Sequence, residues 1–152
     1  MVNVIWFMPF DIDDFYERTL IEYAIERPET LTKFQIGKNY GVQLYNDKLT
    51  DLSAQSDSSQ YVYLVKQLEM LHSYKRSKQT ARQLVSTEVL ENFLENQMLE
   101  HSIYKNYAYP IDHINGAHLE LPFFLATQHP IQSHGDAKDY IKRLNHVELY
   151  FK

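Results

Sequence analysis

At 152 residues the chain is about one domain's worth of polypeptide, enough to bury roughly 70% of its unfolded surface. An apolar fraction of 44% with 23% charged residues is that of a globular protein and argues against disorder throughout. The absence of Cys removes disulfides, thiolate metal sites, iron–sulfur clusters and cysteine nucleophiles, and a formal charge of -5 argues against a nucleic-acid binder that works by counterion release.

In chain order, the opening MVNVIWFMPF is apolar for only ten residues, with no basic stretch before it and no small-residue cleavage site after it. It is read as neither a signal peptide nor a membrane span, and nothing later approaches the ~20 consecutive apolar residues that a spanning helix requires. Acidic cap candidates Asp11, Asp13 and Asp14 come next, with Ile12, Tyr16, Leu20 and Tyr23 at helical spacing, and Pro28 stops the run. A first helix is expected over about 12–26. Pro28 suits a first helical position, so a second short helix is expected from there to Gly37, followed by a polar, turn-rich loop anchored by Val42, Leu44 and Leu49.

From about Ser53 a third helix is expected, with Tyr61, Leu64, Val65, Leu68, Leu71 and His72 along one face. After the basic stretch KRSKQTARQ comes a fourth, capped by Ser86 or Thr87, in which Leu90, Phe93, Leu94 and Met98 share a face. Two long helices with a short connection predict an antiparallel hairpin. Pro110, Gly116 and Pro122 then break the regularity, leaving loop and a short helix over about 122–128, with a strand over about 117–121 as the alternative. A last helix is expected from Gly135 to the C-terminal region, with Asp136 near its start and Lys142 and Arg143 toward its end, as the helix dipole favours. The fold class expected is all-α: a bundle-like array containing a helix hairpin and an irregular Pro/Gly-containing segment, forming one helical domain over residues 1–152 or the N-terminal fragment of a larger helical protein.

The segments PETLTKFQIG and YPIDHINGAHLELPFFLATQHPIQSHGDAKDYIKRL, separated by a loop and two helices, resemble the N-terminal part of the bacterial family called domain of unknown function 885, over roughly residues 13–146. The specific elements are Pro-Ile-Asp at 110–112, Gly116, Leu121-Pro122, Asp136-Ala137 and Tyr140-x-x-Arg143-Leu144. The resemblance implies a longer, mainly helical protein, often secreted or lipid-anchored. Its C-terminal half carries a His-Glu pair followed closely by Gly-His, as in zinc metallopeptidases. No His in this chain is followed by Glu, so no catalytic or metal residue carries over. The expectation is a chain truncated before that motif, with no cofactor of its own, zinc in the full-length family, and the missing C-terminal half or another copy of the chain as partner.

The local candidates for chemistry are few. His113 and His118, and His129 and His134, form two pairs in the irregular region and offer imidazoles for Zn, Ni or Cu. Gly and Pro inside the pairs oppose helical presentation, and no carboxylate or thiolate stands at a recognised ligand spacing, so structural or solvent-facing roles are preferred. Glu69 and His72 have the Glu-x-x-His spacing of di-iron bundles, but such a site needs two copies and only one occurs, leaving Glu91 and Glu95 as a solvated face. Lys75, Arg76, Lys78 and Arg82 are read as dipole and solubility charges. Tyr104, Tyr107, Tyr109, Phe123 and Phe124 form an aromatic cluster that either packs the hairpin against the loop, the preferred reading, or lines a substrate cleft. The functional expectation is the non-catalytic helical portion of a family hydrolase, with an independent protein-interaction domain as the alternative.

Overall fold

Asp11 starts the first helix by accepting the Asp13 N–H on its carboxylate at 2.9 Å and the Phe15 N–H on its carbonyl at 3.2 Å. This is seen in a computed structural model that describes residues 8–35, 45–104, 111, 114 and 116–151. The described residues form six α-helices: α1 (Ile12–Ile25), α2 (Pro28–Lys33), α3 (Ala54–Ser73), α4 (Ala81–Tyr104), α5 (Ala117–Thr127) and α6 (His134–Tyr150). A 3-10 turn, Arg76–Lys78, joins α3 to α4, and the only extended pairing among the described residues is an isolated bridge between Ile111 and Gly116. The fold is all-α. None of these helices is long and apolar enough to cross a membrane.

The chain falls into two compact units, Met1–Ile21 with Gln55–Tyr107 and Glu22–Ala54 with Ala108–Lys152, the first boundary lying within α1. In the first, Ile12, Phe15, Leu64, Leu71 and Leu94 are buried, with Tyr63, Leu68, Leu90 and Met98 packed around them. The expected α1 face is rotated: Phe15 and Thr19 point inward, while Leu20 is 57% exposed. Thr19 is tolerated there because its hydroxyl reaches the Phe15 carbonyl at 2.8 Å and Gln67 Oε1 at 3.2 Å, which satisfies it without water. Contacts between His72 and Glu91 at one end and between Asp57 and His101 at the other run α3 and α4 antiparallel, as the hairpin predicts.

Helix α4 begins earlier than its expected cap. Thr80 and Gln83 form a reciprocal box: the Gln83 N–H donates to Thr80 Oγ1 at 3.3 Å and the Thr80 N–H to Gln83 Oε1 at 2.9 Å. Ser86 and Thr87 therefore lie inside the helix, and Thr87 is buried, with its Oγ1 2.7 Å from the Tyr16 hydroxyl.

In the second unit, α2 ends at Lys33 rather than at Gly37, because Gln35 takes φ 50 and its N–H closes on the Thr32 carbonyl. Residues 117–121 are helix, which removes the strand alternative. The Gly116 carbonyl accepts the Leu119 and Glu120 N–H groups at 2.9 Å, so α5 starts before Pro122 rather than at it. Pro122, inside the helix, leaves the His118 carbonyl without its usual donor four residues on. Leu121, Phe124 and Leu125 form the core of this unit with Leu49, Tyr140, Val147 and Tyr150. Ser133 and Asp136 cap α6 reciprocally, Asp136 Oδ2 taking the Ser133 N–H at 2.8 Å and Ser133 Oγ the Asp136 N–H at 3.1 Å. Since α6 runs to Tyr150, Lys142 and Arg143 lie mid-helix and no basic residue occupies its last turn, which corrects the dipole assignment.

Candidate functional site

A charged residue three positions after Tyr140 and four before Val147 lands on the inward side of α6, and Arg143 there is 0% exposed. A buried guanidinium is costly unless its donors are matched. Here Nε donates to the Lys48 carbonyl at 2.8 Å and Nη1 to His129 Nδ1 at 2.8 Å. Nη2 is shared among the Pro28 carbonyl at 3.1 Å, Thr32 Oγ1 at 2.8 Å and the Tyr45 carbonyl at 3.2 Å. The guanidinium carbon lies 5.1 Å from the centroid of the Phe124 ring, a cation–π geometry.

None of these acceptors is a carboxylate, so the charge is held by neutral dipoles. The nearest carboxylates act at a distance: burial lowers the Arg143 pKa to about 10 against the opposing pull of Glu29, Asp47 and Asp139. Arg143 is still a cation at neutral pH. It gathers α2, the 45–48 turn, the end of α5 and α6 onto one side chain, and fixes Tyr45, a non-glycine residue at φ 72.

His129 follows the last turn of α5, its N–H bonded to the Phe124 carbonyl at 3.0 Å. Its ring stands edge-on to Phe124 at 6.1 Å and to Tyr140 at 5.1 Å between centroids. Burial, reinforced by Arg143, lowers its pKa below the ordinary 6.5 despite Asp136 and Asp139. Nearby, Glu29 accepts the Thr50 N–H at 3.0 Å and the Thr50 hydroxyl at 2.5 Å, tying α2 to the following loop. Asp47 pairs with Lys142 at 3.3 Å, and although its burial acts in the other direction, Lys142 and Lys48 hold its carboxyl below the usual range.

On another side of α5 and α6, Leu121, Leu125, Leu144, Val147 and Phe151 line an open apolar groove of about 390 Å³. His118 borders it, with its Nδ1 buried and unpaired. Chemically the hub and the groove can fix backbone and receive apolar groups. Neither presents a nucleophile with a base beside it.

Residues 28–152 match the family described as "Bacterial protein of unknown function (DUF885)". The chain belongs to the DUF885 family. The DUF885 match covers every member of the Arg143 hub, begins at Pro28 rather than near residue 13, and runs to Lys152. Neither a curated protein nor a solved structure matches the chain.

The motif residues that carry the DUF885 resemblance have structural duties here: Arg143 is the hub, Tyr140 flanks His129, Asp136 caps α6 and Leu121 is core. Of the candidate imidazoles, His129 is engaged by Arg143, His118 borders the groove, His134 is exposed at the first position of α6, and His113 lies outside the described residues. No group of three potential metal ligands occurs among the described residues. Among the cleft candidates, Phe124 is buried beneath Arg143 and Phe123 is 59% exposed, while Tyr107 and Tyr109 lie outside the described residues.

Glu69 does not join His72. That imidazole lies 2.6 Å from Glu91, whose other oxygen takes Arg76 at 2.5 Å, and the two bonds lower the Glu91 pKa, Arg76 most. The hub itself was missed in the sequence. Its signal was present: an Arg on the apolar face that Tyr140, Leu144 and Val147 define.

Proposed function

We propose that this DUF885 chain is the non-catalytic, scaffold-forming helical part of a zinc-dependent hydrolase of that family. On this reading it contributes one wall of a substrate cleft and docks on the part of the family's fold that carries the catalytic helix. The observation behind the reading is that none of the 7 His residues is followed by Glu, so a helix presenting two imidazoles and a general-base carboxylate to zinc is not written in these residues. The hub supports it too, since Arg143 and His129 are engaged in holding main-chain segments together. Exposed Phe123 on α5 and the open groove between α5 and α6 supply apolar surface for such a wall.

The test is to incubate the purified chain with zinc and a mixture of peptides, alone and with a polypeptide bearing the family's His-Glu region. The expected result is no turnover alone and a stable complex when the two are mixed. Turnover by the chain alone defeats the non-catalytic assignment, and absence of a complex defeats the docking. A second reading, an independent helical interaction domain, is favoured by the two cores, each of buried residues from one unit. A monodisperse chain that unfolds cooperatively and ignores the His-Glu polypeptide selects it.

A further inference from the structure

The His129–Arg143 contact has a fixed chemical direction. A guanidinium nitrogen carries only donors, so the Nδ1 atom 2.8 Å from Arg143 Nη1 has to present a bare lone pair. The imidazole is thereby held neutral, with its proton on Nε2. Protonating Nδ1 would turn the acceptor into a donor aimed at a donor and set two cations in contact, within a core where Arg143 is fully buried. Arg143 cannot yield by losing its own proton near neutral pH. The geometry points to an acid-sensitive latch: protonation of His129 breaks its bond to Arg143 and releases α2 and the 45–48 turn from α6.

What is released follows from the same side chain. Its other four acceptors are the Pro28 carbonyl and Thr32 Oγ1 in α2 and the Tyr45 and Lys48 carbonyls in the turn. Tyr45 at φ 72 is strained backbone that relaxes once the guanidinium swings away.

The charged groups around the pair set the direction. On α6, Asp136 and Asp139 favour a protonated ring, but Asp136 is bonded to the Gln132 and Ser133 N–H groups and Asp139 to Lys142. From the turn, Asp47 is shared between Lys142 and Lys48, and from α2, Glu29 is occupied by Thr50. Besides Arg143, the side chains on α5 and α6 that touch the ring are the aromatic rings of Phe124 and Tyr140. Burial and Arg143 therefore prevail, and the ring titrates below its ordinary 6.5. The neutral-ring contribution is complete above pH 6.5 and is lost as the pH falls from there toward the depressed folded value, with the opening equilibrium rising up to about tenfold per pH unit. Carboxylates titrate near 4 and remain ionised through the start of this window.

The experiment compares the full chain with His129→Asn, whose amide oxygen reaches the Nδ1 position and does not titrate. Amide hydrogen exchange of α2 and the 45–48 turn is followed between about pH 7.5 and pH 5.5 and corrected for intrinsic rates. The wild type is expected to lose protection in these segments as the pH falls, and the variant to lose much less. Equal pH dependence in the two proteins overturns the latch. Should His129→Asn fail to fold at neutral pH, ring-nitrogen NMR of the wild type decides: an unprotonated Nδ1 on His129 sustains the latch, and a protonated one overturns it.

Discussion

Replacing Arg143 with Met keeps an aliphatic stem and removes every polar atom of the hub. Of its acceptors, Pro28 O retains the Thr32 hydroxyl at 3.0 Å and Tyr45 O retains the Lys48 N–H at 3.0 Å. The one Thr32 hydroxyl proton is divided between that carbonyl and Asn46 Oδ1, also at 3.0 Å. Two acceptors lose the partner that held them, the Lys48 carbonyl and His129 Nδ1. A stranded buried acceptor costs ~1–3 kcal/mol, so the pair costs ~2–6 kcal/mol before relief. Removing a buried cation returns part of its desolvation cost. The net expectation is a loss of about 2–4 kcal/mol, a large fraction of a typical domain's stability. With a urea slope of about 2 kcal/mol/M, the midpoint falls by ~1–2 M, read by far-ultraviolet circular dichroism at neutral pH. If the two units unfold separately, the shift belongs to the transition that melts α5 and α6. A variant as stable as the wild type, or more so, would refute the reasoning, because packing alone would then replace the hub.

Phe15 is fully buried in the first unit, and Phe15→Ala is expected to cost ~3–5 kcal/mol in the same titration. Thr80→Ala removes one half of the α4 capping box and is expected to cost about 1 kcal/mol, with faster amide exchange confined to the first turn of α4. Glu91 has its pKa lowered by Arg76 and then His72, so its contribution is present above the ordinary carboxylate value of 4.5 and is lost as the pH falls below it. Because Glu91 lies at the surface and both its partners are half-exposed, Glu91→Gln is expected to cost no more than ~0.5 kcal/mol at neutral pH and to flatten acid sensitivity measured by denaturant titrations below pH 4.5.

Periodicity made the hairpin legible. Leu64 and Leu71 on one helix and Leu94 on the next are buried as their spacing predicts, and Pro28 does open a short helix. Phe15 and Thr19 escaped because Thr19 interrupts the apolar pattern, and only its bonds to Phe15 and Gln67 make it acceptable inside. The start of α4 is spelled by Thr80-x-x-Gln83, a reciprocal box, whereas Ser86 and Thr87 match only as single cap residues and lie inside the helix. At α5, Pro122 suits a first helical position, but Gly116 sets the start. At the hub, the place of Arg143 on an apolar face can be read, but its partners cannot. Its acceptors are mainly carbonyls, which leave no mark in side-chain identity, and the matching partner of Arg143 is an imidazole rather than a carboxylate.

The segments of the two units alternate along the chain: Met1–Ile21 and Gln55–Tyr107 form one, Glu22–Ala54 and Ala108–Lys152 the other. During synthesis the first can therefore close once residue 107 has left the ribosome, whereas Pro28 waits for Arg143, 115 residues later. Throughout that interval Leu31 and Leu49 have no finished core to enter.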